Sequence, residues 1–195
     1  MLGIPYHFCR PETGPPTMDI DEDLNGLQAA LNHCRELGSR ESVRDASDPS
    51  VSDWSAAQHL YHTALACDLS LRNVEGLVAQ RGLLIVKGAR TSEETIKLLA
   101  KEEFRRGQAE SPRMVRPDGE VNPQFLAREQ EGNRATLESL RRCRDEISSA
   151  PDHVPHQVLG PLTAAMWLRF ARLHTLHHLA IIEDILTAAG LSRSE

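Results

Sequence analysis

Residues 163–190 read TAAMWLRFARLHTLHHLAIIEDILTAAG, and the spacing of their apolar side chains decides what kind of fold the chain adopts. Apolar residues recur at intervals of three and four, which is the pattern of a helix with one buried face. The spacing predicts a long helix from Thr163 to Gly190, a natural left-handed residue at a helix end, followed by a frayed tail. His174 and His178 are four residues apart and therefore share one face, a turn apart. At 100° per residue, Trp167, Phe170, Ile181 and Ile185 all fall within about 40° of His174. The pair thus points into the core rather than into solvent.

The same periodicity extends upstream. A first helix is predicted from Asp19 to Leu37, with acidic residues at its positive end and Gly38 just past its last turn. The stretch 39–50 is polar and reads as a loop. A second helix starts near Ser52 and carries Trp54, Leu60, His62, Leu65 and Leu69 to about Arg72. Residues 74–88 are apolar, interrupted by Gly76 and Gly82, and read as helical. Thr91-Ser92-Glu93-Glu94 is a capping box for a short helix to about Arg105. Residues 108–121 form the longest irregular segment. Asn122 as cap and Pro123 at the first helical position open a third long helix to about Ser148. Residues 150–161 connect it to the last. No sustained period-two run is present, so the class is all-α with β content near zero: a four-helix bundle with one long crossover.

A chain of 195 residues with 40% hydrophobic content buries one core, so a single domain over 1–195 is expected, with an extension at 1–18 and a tail at 191–195. No window approaches the roughly 18 apolar residues of a membrane span, and Met1 to Tyr6 lack the basic start and apolar stretch of a secretory signal. A cytoplasmic protein is expected. Cys9, Cys34, Cys67 and Cys143 are far apart, without a C-x-x-C pair, and read as reduced packing residues. The net charge of −6 is interspersed along helical segments, which disfavours nucleic acid and anionic membrane as partners.

Two imidazoles in a core need partners, since each unpaired nitrogen costs about 1 to 3 kcal/mol. Hydrogen bonding to core polar groups is one solution and a metal ion is the other. His62, eight residues after Trp54 on the second helix, can supply the third imidazole that the pair lacks. His59 is the competing donor on that helix, about 60° round. Three neutral imidazoles with an open position are the ligand set of a catalytic zinc site, and nickel, iron or manganese also accept such donors. Gln58, His59, His156 and His177 are candidates for orienting a bound nucleophile from outside the ligand set.

The segment from Trp54 through Gln58 and His59 to His62 resembles the second-helix motif of the DinB/YfiT-like superfamily, a tryptophan followed eight residues later by a ligand histidine. The segments His156 to Leu162, Trp167 to Phe170 and His174-Thr175-Leu176-His177-His178 closely resemble one branch of it, long known as a domain of unknown function. The resemblance implies a four-helix bundle of up-down-down-up topology, a divalent metal on His62, His174 and His178, and frequently a homodimer. Relatives of this type include metal-dependent hydrolases and transferases that use low-molecular-weight thiols. Residues 1–18 and 77–121 match nothing in that pattern, so the substrate stays open.

Other chemistries lose their usual support. No glutamate stands three residues before any histidine, which disfavours a di-iron bundle. H-E-x-x-H, G-x-S-x-G, G-x-G-x-x-G and the phosphate loop are all missing from the sequence. The expected function is therefore a metalloenzyme that activates water or a thiol, with a non-catalytic metal-binding or homodimeric interaction bundle as the alternative.

Overall fold

The computed structural model describes residues 18–101, 104–107 and 110–191; the extension (apart from Met18) and all of the tail but Leu191, with Cys9, lie outside them. Among the described residues the chain is mostly helical, with one small two-stranded sheet. Helix α1 (Ile20–Ser39) is opened by the Asp19 side chain, which accepts from the N–H groups of Asp21 and Glu22. It does not stop before Gly38. The Gln130 and Leu126 side chains lie 3.1 to 3.4 Å from where a Cβ at Gly38 would stand, so this glycine serves close approach of another helix instead of ending its own. A single turn, α2 (Glu41–Arg44), lies inside the stretch expected to be a loop.

Helix α3 (Ala56–Val78) begins three or four residues later than expected, because the reciprocal capping box forms between Ser55 and Gln58. It passes through Gly76, where a Cβ would sit 2.8 Å from the Arg81 carbonyl oxygen. The chain leaves the helix through Gln80 at φ 52, so most of 79–88 is not helical, and Val86 instead makes a β-bridge with His153. In α4 (Glu93–Ala100) the cap is Ser92, whose hydroxyl accepts from the Thr95 N–H. The Thr91 hydroxyl donates to the Pro161 carbonyl, which is why the expected capping box is not the one used. Helix α5 (Pro123–Arg141) has Asn122 and Pro123 in the predicted places, but breaks near Arg142 and resumes as α6 (Arg144–Ser149).

The all-α expectation is corrected by a hairpin of β1 (Val154–His156) and β2 (Gly160–Leu162). Pro155 faces Pro161 across it, a pair that needs no N–H, and Gly160 takes the left-handed φ of 73°. Helix α7 (Ala164–Ala188) follows, capped by Thr163 and closed past its end by Gly190 at φ 71.

Four long helices pack pairwise: α7 on α1 and α3, and α5 on the same two. Asp23 meets Arg169 and Arg172 while His33 meets Glu183, so α1 and α7 run the same way. His62 meets His174 and His59 meets His178, so α3 runs against α7. Gln130 reaches the Cys34 carbonyl and Arg141 that of Leu24, so α5 runs against α1. The interior holds two apolar clusters. One includes Leu24, Leu71, Leu77, Leu137, Trp167 and Leu168; the other includes Leu60, Leu126, Ile182 and Ile185. On α7 the first cluster ends at Leu173 and the second begins at Leu179, so His174 and His178 fall in a polar layer between them.

Candidate metal centre

Helix α7 supplies two imidazoles to that layer and α3 supplies two more, because i, i+4 and i, i+3 spacings stack them on the facing sides of an antiparallel pair. One nitrogen each from His62, His174 and His178 lies within 4.8 Å of the others. The Nε2 atoms of His62 and His174 are 3.3 Å apart. Two nitrogens bound to one tetrahedral ion at about 2.0 to 2.1 Å would stand about 3.3 to 3.4 Å apart, so the spacing fits an ion between them. His62 and His178 are buried and His174 half-buried.

The protonation pattern also fits. His62 Nδ1–H donates to the Val115 carbonyl oxygen at 2.8 Å, which leaves the Nε2 lone pair facing His174. Burial pushes the imidazoles of His62, His174 and His178 below the usual histidine range, the last two well below it. All three are thus neutral near pH 7, the form a metal ligand requires. The Phe170 ring stacks on His174 at 5.2 Å and 27°, and the Trp54 ring lies 5.1 Å from His62, so both rings are held in place.

The four residues expected outside the ligand set are distributed differently. Gln58 is committed to the cap of α3 and to the Gly119 carbonyl, and takes no part in the cluster. His59 reaches it, with Nδ1 3.0 Å from His178 Nδ1. His156 packs against Trp167 and Phe170, its Nδ1 accepting from the N–H groups of Val158 and Leu159. His177 packs edge-on against His178 and Phe104, on the flank of the site. The thiols of Cys34 and Cys67 are raised by burial, which keeps them protonated and agrees with packing roles.

Two features were not read from the sequence. The Val115 carbonyl and the Ser52 hydroxyl complete the histidine network, and backbone groups and loop serines carry no sequence signal of that role. The second feature is a buried ionic cluster in which Asp23 accepts from Arg169 Nε at 3.0 Å and Arg172 Nε at 2.8 Å. Two arginines three apart in an apolar helix face are the signal that could have found it. Burial raises the Asp23 carboxyl against the pull of both arginines.

Burial lowers both His59 and His156 to about 4. Their unfolded values lie near the ordinary 6.5, so between about 6.5 and 4 the unfolded chain binds protons that the folded one refuses. Stability should be full above that window and fall as pH drops through it. Urea midpoints of the metal-free protein at pH 7.5 and pH 5 check this; equal midpoints would mean that the histidines protonate in the folded state.

Fold and site together define a mostly helical protein with a three-histidine group that could hold a metal ion. The chain belongs to the family described as "Protein of unknown function (DUF1569)", whose model matches residues 18–184. No curated protein and no solved structure matches it. No helix among the described residues is long and apolar enough to cross a membrane.

Proposed function

We propose that this chain is a metal-dependent enzyme of the DinB/YfiT-like type, with a divalent ion held by His62, His174 and His178 in an up-down-down-up four-helix bundle. The observation that carries the reading is the meeting of three neutral imidazole nitrogens within 4.8 Å in a polar layer between two apolar clusters. The helix pairings support the topology, since α1 and α7 run together while α3 and α5 run against them, joined by the long crossover 79–122. Nitrogen donors in this geometry suit zinc or nickel best, and accept iron or manganese. An ion bound there supplies Lewis acidity, which brings the pKa of a water or thiol toward neutrality.

The protein residues do the rest. Val115 fixes the tautomer and orientation of His62, and Phe170 fixes the plane of His174. Phe104 and Trp167 pack against Phe170, which in turn stacks on His174, so the plane of that imidazole is backed by an aromatic cluster. The substrate is a small molecule, with a low-molecular-weight thiol as cosubstrate if the reaction is a transfer. The test is a screen of metal-free protein reconstituted with zinc, nickel, iron(II) or manganese, for ester and amide hydrolysis and for thiol addition to electrophiles. At least one loaded form should turn over faster than its His178→Ala counterpart. Identical rates in every assay would leave a metal-holding interaction bundle.

A further inference from the structure

The second imidazole pair, His59 with His178, has a geometry that requires a choice of protons which the ligand set alone does not. His59 is buried, at 3% exposure, and both of its nitrogens are engaged. Nδ1 stands 3.0 Å from His178 Nδ1, and Nε2 stands 2.8 Å from Ser52 Oγ. Ser52 Oγ also accepts from the Trp54 N–H at 3.2 Å, and the Trp54 ring lies 5.3 Å from His59. Two facing Nδ1 atoms of neutral imidazoles share one proton, which leaves two arrangements.

In one, His59 Nδ1–H donates to His178, so the proton of His178 sits on Nε2 and its lone pair is lost to any ion. His59 Nε2 then accepts from the Ser52 hydroxyl. In the other, His178 Nδ1–H donates to His59 Nδ1, and His59 Nε2–H donates to Ser52 Oγ. Only this second arrangement leaves His178 Nε2 bare. We propose that His59, braced by Ser52, is a positioning residue that holds His178 in its ligating tautomer and is not itself a ligand. The inference rests on the reading of His62, His174 and His178 as metal ligands. It also decides between the two α3 histidines: the nitrogens of His59 face His178 Nδ1 and Ser52, whereas His62 turns its Nε2 toward His174 Nε2, where an ion would lie.

Outer partners of this kind change metal affinity by about 10- to 100-fold when removed. Zinc dissociation constants from chelator competition on wild type, His59→Phe, His59→Gln and Ser52→Ala give the test. His59→Phe should weaken zinc by about 10- to 100-fold while still binding one equivalent at saturation, since the three ligands remain. His59→Gln should recover most of the affinity, because its amide oxygen accepts from His178 Nδ1–H and its amide nitrogen donates to Ser52. Ser52→Ala should lie between wild type and His59→Phe. In the zinc-loaded wild type, long-range ¹H–¹⁵N NMR should place the shared proton on His178 Nδ1. Zinc bound by a folded His59→Phe variant as tightly as by wild type would overturn the inference alone. So would a proton on His59 Nδ1, which decides the matter even if that variant fails to fold. Wild type that binds none of zinc, nickel and manganese would overturn both this inference and the site reading; if only nickel or manganese binds, the same variants are compared with that ion.

Discussion

Untagged protein should carry, or take up on reconstitution, close to one equivalent of divalent metal per chain, and His174→Ala and His62→Ala should each retain almost none. The expectation follows from the 3.3 Å separation of the two Nε2 atoms: either substitution removes one of three ligands and leaves a two-imidazole site. Elemental analysis reads the outcome, with circular dichroism to show that both variants stay helical. His62→Ala matters as much as His174→Ala, because it lies on the opposing helix and tests the meeting of α3 and α7, not merely the i, i+4 pair. Full occupancy in either variant, or no occupancy in wild type after zinc, nickel and manganese, would refute a site shared by these helices.

The second large effect is expected far from the histidines. Asp23→Ala should destabilise the fold by about 3 to 5 kcal/mol, because it leaves two buried guanidinium groups without their shared carboxylate. Asp23 has no exposed surface, and Arg169 and Arg172 are 5% and 6% exposed, so water cannot replace the lost partner cheaply. In a chain of this size the change corresponds to roughly 6 to 20 °C in melting temperature. Glu22, 3.3 Å from Arg172, sits at the rim and takes up part of the charge, which argues for the lower half of that range. A loss below about 1 kcal/mol would put the cluster in the class of solvated ion pairs.

What could be read from the sequence was what local spacing determines. His174 and His178 were assignable to a core face because four residues separate them and the apolar neighbours share their angle. Asn122 and Pro123 announced a helix start by adjacent chemistry alone, and the structure places α5 there. The start of α3, expected near Ser52, falls instead after Ser55. Both are serines before the same helix, and only Gln58, three residues after Ser55, distinguishes the box that forms. Gly38 misled because glycine ends helices and also admits neighbours, and here the neighbour, Gln130, comes from α5. The hairpin escaped because three-residue strands that contain Pro155 and Pro161 are too short to show a period of two. The Asp23 cluster joins residues 146 and 149 positions apart, a separation over which no local pattern carries information.

The polar layer between the two apolar clusters also determines how the helices line up along their axes. Leucine against leucine tolerates a slide of one helical turn, about 5.4 Å, since the next leucine offers much the same surface. His62 to Val115, His59 to His178, Gln130 to Cys34 and Asn133 to Ala64 do not. Each of these pairings is satisfied at a single axial offset, and a slip would bury its donors and acceptors unpaired at about 1 to 3 kcal/mol apiece. The histidine pairs thus key α3 to α7, and Gln130 and Asn133 key α5 to α1 and α3, so that the residues which would gather an ion also fix one of the axial alignments the bundle adopts.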